Sequence, residues 1–343
     1  MMRLPLSWLL AFTTAALALL LLGSLATGPM TLTLGESLRA LFAGQESGIE
    51  SHKLLIVQEI RLPRTLLCIA VGGILGLCGA VMQGLFRNPL ADPGIIGVSG
   101  GAALGAALAI VLLAPLGQQL QATIGVGLLP LLAFLGGALT TTLVYLLGTR
   151  EGGTSVTVML LAGVAITALS GAVIGLLTYL ADDQMLRNLS LWQMGTLAAG
   201  KPADVALALL TLAALLWLFM RDANPLNALL LGEGEARHLG VNVQSLKRRL
   251  ILLTAAGVGV AVAVSGMIGF VGLVVPHLVR LLAGPNHVRL LPLSALLGAA
   301  LLLAADMLAR TLLGPAELPV GIITALLGAP FFIWLLVKGR RAL

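Results

Sequence analysis

"VALALLTLAALLWLFM", residues 205–220, is an apolar run without a single charge. Its side chains do not alternate with period two, as a membrane β-strand must to keep one face in lipid and the other in a lumen. With its flanks, about 203–221, it is long enough to cross roughly 30 Å of hydrocarbon as a helix. Lipid offers no partner to backbone N–H and C=O groups, so a chain crosses it only as helices or as a closed barrel. This run selects helices, and the rest of the chain repeats it. Hydrophobic residues are 59% of the 343 and charged residues 10%, against about 25% charged in a typical soluble domain. The mean hydropathy is +1.06. The expected fold is all-α, a polytopic membrane bundle forming one transmembrane domain over 1–343.

Ten spans are expected, at about 6–27, 62–84, 93–114, 124–147, 154–181, 203–221, 248–267, 269–283, 291–310 and 316–337. The eighth is short and is broken by Pro276. An even number puts both termini on one side. With both termini cytoplasmic, 13 of the 20 Lys and Arg fall inside, Arg3 and Arg341 among them, and 7 fall outside. That is the direction the positive-inside rule requires. The polar stretch "LLLGEGEARHLGVNVQSLKRR", 229–249, is then cytoplasmic. Residues 1–28 have the basic start and apolar core of a signal peptide, but the core is long and no small-x-small site follows, so a retained first helix is expected.

Several motifs carry no chemistry. "GTLAAGKP", 195–202, misses the phosphate loop because Pro202 replaces the hydroxyl residue and no strand precedes it. The chain has no ATP site of its own. Cys68 and Cys78 share one span and read as packing residues; the four histidines are dispersed, so no metal set and no catalytic set is expected. The basic residues flank membranes, which gives no case for nucleic acid. Asp92, Asp204, Asp306 and Glu317 read as lying at or near span ends. An ion-coupled carrier would hold an acid deep in a span, so energy for transport comes from elsewhere. Gly72–Gly76, Gly97–Gly101–Gly105 and Gly171–Gly175 repeat at four-residue intervals, a spacing that lets helix backbones approach.

Four segments carry a resemblance. "RLPRTLLCIAVGGILGLCGAVMQGLFRNPLADPGIIGVSGGAALG" (61–105), "LLLGEGEARHLGVNV" (229–243), "GFVGLVVPHLVR" (269–280) and "AELPVGIITALLGAPFFIWLL" (316–336) resemble the FecCD-type permeases. These are the membrane subunits of type II ABC importers for ferric siderophores, haem and cobalamin. The resemblance implies a homodimer in the bacterial inner membrane, two ATP-binding subunits beneath and a periplasmic substrate-binding protein above. It implies no permanently bound cofactor, with ATP acting through the partner subunit. The pathway would follow the dimer axis, lined largely by the fifth span.

The resemblance also assigns roles to residues. The cytoplasmic loop at about 222–247 would form the short coupling helices that rest on the ATPase, with Glu233, Glu235, Ala236, Leu239 and Gly240 on the matching positions. Lys247–Arg249 reads instead as an anchor at the lipid headgroups. Arg61 and Arg64 lie three apart, at the start of a helix with Pro63 in its first turn, and Arg310 ends the ninth span on the same outer surface. Arginines there would pair with carboxylates of the binding protein. Thr154 and Ser155, after Gly152 and Gly153, read either as small residues at the cytoplasmic gate or as a helix cap. Trp192, in "LRNLSLWQMGTLAAG" (186–200), belongs to a gating helix or anchors at the interface. An iron chelate, haem or ferric siderophore, is the expected cargo, with cobalamin the alternative. A stand-alone carrier or a scaffold without flux would have no need of the 229–242 loop.

Overall fold

The computed structural model describes residues 5–42, 50–114, 127–150, 153–198, 200–314 and 316–340; Arg3, Gly152 and Arg341 lie outside them. In chain order the helices begin α1 (Leu6–Ala26), α2 (Leu34–Phe42), α3 (Ser51–Leu55), α4 (Leu62–Leu85), α5 (Val98–Val111) and α6 (Leu128–Gly148). A two-stranded hairpin, β1 (Thr149–Arg150) with β2 (Gly153–Thr154), precedes α7 (Val156–Leu180), α8 (Asp183–Gln193) and α9 (Pro202–Arg221). Two short helices, α10 (Ala223–Leu230) and α11 (Glu233–His238), lead to α12 (Val243–Ser265), α13 (Val271–Ala283), α14 (His287–Thr311) and α15 (Val320–Arg340). Among the described residues, seven helices are long and apolar enough to cross a membrane and three more are shorter apolar helices. Together they match the ten expected spans.

The edges differ where backbone chemistry intervenes. The second span does not begin at 62. Helix runs on from Ser51 to Leu85 through a π-helical segment, Ile56–Arg61, where Leu62 N–H donates to Val57 O. Pro63 explains the wider turn. It has no N–H to give Glu59 O, and its ring would collide with that carbonyl in a regular helix. The third span starts late, at Val98, because Asp92 caps a 3₁₀ turn over Pro93–Ile96 and Gly97 then takes φ +85. The seventh starts early, at Val243, where the Asn242 side chain accepts from Ser245 N–H.

α4 is the axis of the bundle. Its best apolar window is 89% buried, against 17% for α1 and α7. α14, α9, α13 and α12 all pack on it. Glycines make this approach close: a Cβ at Gly72 or Gly76 would collide with the carbonyls of Gly298 or Ser294 on α14, and one at Gly79 with Gly272 O on α13. Gly101 and Gly105 seat α5 on Gly136 and Leu132 of α6 in the same way. Gly171 and Gly175 of α7, by contrast, meet nothing within 4 Å inside the chain.

Outside the bundle, α2 and the start of α3 pack through Leu32, Ala40, Leu54 and Val57. Lys53 Nζ at 2.9 Å and the Thr33 backbone and hydroxyl hold the Glu36 carboxyl down at about 2.

Gly79→Ala should lower stability by about 1–3 kcal/mol through forced separation of α4 and α13. Gly171→Ala should cost less, because a Cβ there displaces nothing within its own chain. Thermal unfolding of the two variants in detergent checks the pair.

Candidate functional site

Two clusters of charge sit at opposite ends of α4. At one end the polar stretch of the sequence becomes α10 and α11. α10 is fixed to the bundle: Leu226 and Leu229 are buried, and Asn227 Oδ1 accepts from His287 N–H at 2.8 Å at the start of α14. α11 hangs more freely. Gly232, at φ +122, starts it, and Gly240, at φ +83, stops it. Gly240 N–H donates to Arg237 O and Val241 N–H to Ala236 O, the paired bonds of a Schellman end that a left-handed glycine permits. Ala236 is fully buried, whereas Glu235, Leu239 and Gly240 are exposed, with Leu231 beside them. The loop residues therefore divide into one inward contact and an open surface of mixed apolar and charged character.

Glu233 faces the other way. Its Oε1 lies 2.6 Å from Lys247 Nζ, and Lys247 is 3% exposed. Lys247 also donates to Thr154 O at 3.1 Å, and Gln244 Oε1 accepts from Thr154 N–H at 3.1 Å. Both backbone polar groups of Thr154 are thus held by α12. Lys247 is not a headgroup anchor, because its ammonium is inside the protein between a carboxylate and a carbonyl. Arg249, half-exposed, donates through Nε to Asp222 at 2.8 Å. Ser155 caps α7 by accepting from Val158 N–H, and its own N–H donates to Gly148 O. Thr154 is buried and Ser155 exposed.

At the other end of α4 the three arginines depart from expectation. They do not point outward. Arg61, Arg64 and Arg310 are 3%, 6% and 2% exposed. Arg61 Nη1 donates to Leu25 O and Ala26 O at 2.7 and 2.8 Å, and Nη2 to Met30 O. It therefore satisfies carbonyls at the end of α1 that have no partner within that helix. Arg64 Nε bonds both oxygens of Asp306 at 3.0 and 3.2 Å, while Nη1 reaches Glu317 at 2.6 Å. Arg310 closes the set on Asp306 Oδ2 at 3.0 Å, on Ser24 Oγ at 2.7 Å and on Thr27 O at 3.1 Å. Asp306, read from the sequence as lying near a span end, is fully buried with both oxygens committed to guanidinium donors.

Trp192 also turns inward, at 9% exposure. The turn after α8 is pinned to α12 and α15 by Thr196 N–H on Ser265 O at 2.8 Å and Gly321 N–H on Met194 O at 3.1 Å. Trp192 lines a cavity of about 770 Å³ with Phe134, Leu207 and Val260, and with Lys201 and Asp204 on its polar side. No residue of α7 lines this cavity, so it is separate from the face on which α7 is exposed.

With this geometry in place, comparisons with known proteins are specific. The FecCD transport family matches residues 16–338, and the chain belongs to that family. The hemin transport system permease protein HmuU of Yersinia pestis is 47% identical over 336 residues, 97% of this chain and 96% of that protein. The vitamin B12 import system permease protein BtuC of Vibrio cholerae is 43% identical over 285 residues, 83% of each. A solved structure described as an inward-facing metal-chelate type ABC transporter superimposes with a TM-score of 0.82 at 34% identity, covering 97% of this chain and 99% of that one. The chain is the membrane-spanning permease subunit of a type II ABC importer.

Breaking the buried lattice should be costly. Asp306→Asn leaves two guanidiniums without their shared counter-charge and should cost about 3–5 kcal/mol. Glu317→Gln, at the more exposed corner, should cost less. Yield and unfolding temperature of the detergent-solubilised variants give the order.

Proposed function

We propose that this permease works as a homodimer in the bacterial inner membrane and moves an iron chelate, hemin foremost, into the cytoplasm by alternating access. ATP hydrolysis is supplied by two separate ATP-binding subunits, and cargo is delivered by a periplasmic substrate-binding protein. The observation that carries the cargo assignment is the 47% identity to the hemin permease over 97% of the chain, against 40–44% for vitamin B12 permeases, some of which match the chain over the same share. Cobalamin is the second reading, favoured by 43% identity over the matched part. A ferric siderophore shares the iron chemistry.

The homodimer is supported by α7. Leu161, Val164, Leu169 and Tyr179 are 66–86% exposed, and Gly171 and Gly175 have no neighbour. A second copy would bury that face and bring two Thr154–Ser155 segments together as a gate. The end carrying Glu233 is assigned to the cytoplasm, with both termini, by the excess of basic residues there. The exposed surface of Leu231, Glu235 and Leu239 then faces the ATPase. At the opposite end, Arg61, Arg64 and Arg310 hold the docking platform in shape from within, and the binding protein meets the surface above them.

Uptake into proteoliposomes containing the permease, its ATPase and its binding protein tests the cargo. ATP-dependent accumulation of hemin, without accumulation of cyanocobalamin, is the expected outcome; the reverse selectivity would replace the assignment. Gly240→Pro tests the coupling surface. Proline cannot adopt φ +83, so stimulated ATPase activity should fall by about tenfold or more while binding-protein docking is retained.

A further inference from the structure

We propose that Lys247 is a positioning residue that ties the ATPase-facing helix α11 to the start of the gate helix α7. Glu233, Lys247, Gln244 and the Thr154 backbone form the tie. This rests on the reading of 232–242 as the coupling surface and 154–155 as the gate segment, and adds the connection between them.

The two short helices are built differently. α10 is held by buried leucines and by Asn227 against α14, so it belongs to the rigid bundle. α11 has six residues, is bounded by two left-handed glycines, and reaches inward through Ala236 and the Glu233 carboxylate. A push on α11 from outside is therefore felt at Glu233. That carboxylate is 2.6 Å from an ammonium that is itself bonded to Thr154 O. The Lys247 charge cannot simply let go of Glu233, since an isolated buried ammonium is strongly disfavoured.

The receiving side has no stability of its own. β1 and β2 are two residues each, far below what an independent hairpin needs. Its position is set by what grips it. Gln244 takes Thr154 N–H, Lys247 takes Thr154 O, and Gly153, at φ +111, lies so close to the Gln244 amide that a Cβ would collide with it. Ser155, the next residue, caps α7. Displacement of α11 or of the first turn of α12 is thus passed to the first turn of α7 through charge-assisted hydrogen bonds.

The test uses the whole transporter in nanodiscs, with ATP as the trigger and Thr157→Cys as the reporter. The native Cys68 and Cys78 are buried, and Thr157 is exposed in the first turn of α7. The rate of reaction with a water-soluble maleimide is compared without nucleotide and after trapping with ATP and vanadate. In the otherwise unaltered chain this rate should change on trapping. Lys247→Met should keep ATP hydrolysis within about twofold but abolish the change in maleimide rate and lower hemin uptake per ATP by about tenfold. Lys247→Arg should restore most of both. Glu233→Gln should act like Lys247→Met, and the double variant should be no worse than either alone, as expected for one shared interaction.

A persistent ATP-dependent change in Lys247→Met, or additive losses in the double variant, overturns the proposal. If Lys247→Met does not fold, the double variant decides alone, since it leaves neither a buried ammonium nor a carboxylate without its partner. Retained coupling in that variant overturns the tie and lost coupling supports it. A chain with Lys247 intact that never associates with the ATPase removes the coupling-surface reading itself, and the tie with it.

Discussion

Helices inside a membrane gain nothing by hiding apolar side chains from their surroundings, so their backbones must come close enough for dispersion and weak hydrogen bonds to hold them. That requirement is concentrated on α4. Where Gly72, Gly76 and Gly79 would carry a Cβ, carbonyls of α14 and α13 are already in place. The other elements follow from that contact. α14 and α13 are fixed in depth and rotation, α12 and α9 fill the remaining sides of α4, and α1 packs outside α14. α7 is left at the periphery with a glycine pair facing nothing in its own chain.

Charge then specifies the two ends. Buried ion pairs are weak evidence for stability, because desolvation offsets most of the attraction. Their geometry is nevertheless exacting. Arg64 and Arg310 share Asp306, and with Ser24, Thr27 and Glu317 they join α1, α4, α14 and the segment before α15 into one arrangement. The opposite end uses fewer contacts. Lys247 and Gln244 grip a short hairpin, and the outer face of α11 stays open. One end is closed by buried charge, and the other keeps an exposed face with a short connection inward from it.

Much of this was legible residue by residue. Apolar blocks such as 205–220 marked the spans, because length and the absence of alternation suffice for that. Gly240, placed by the resemblance in the polar loop, ends α11 through its left-handed backbone. The four-residue glycine rows marked close helix approach, although their spacing did not distinguish contacts inside the chain from a face left open. Other readings failed for identifiable reasons. Pro63 reads from its local sequence as the first turn of a helix, whereas it sits just after a π-segment in a longer one. Arg61 and Arg64 read as surface residues because nothing local shows that the carbonyls ending α1, Asp306 and Glu317 converge on them. Lys247 reads with its basic neighbours as an anchor, because nothing local reveals that a carboxylate fourteen positions earlier and a carbonyl in another loop converge on it.

The sequence by itself determined the solvent of this protein, the number of apolar spans and the family. Those properties depend on composition and on motifs within one stretch of chain, where side-chain hydration and backbone valence act locally. Tertiary structure alone decided which charges are surface and which are internal. It also joined Glu233 of α11 to Thr154 before α7 through Lys247. Both depend on contacts between residues far apart in sequence, such as Arg64 with Asp306 and Lys247 with Thr154, and on whether the low-dielectric interior leaves a charge a partner.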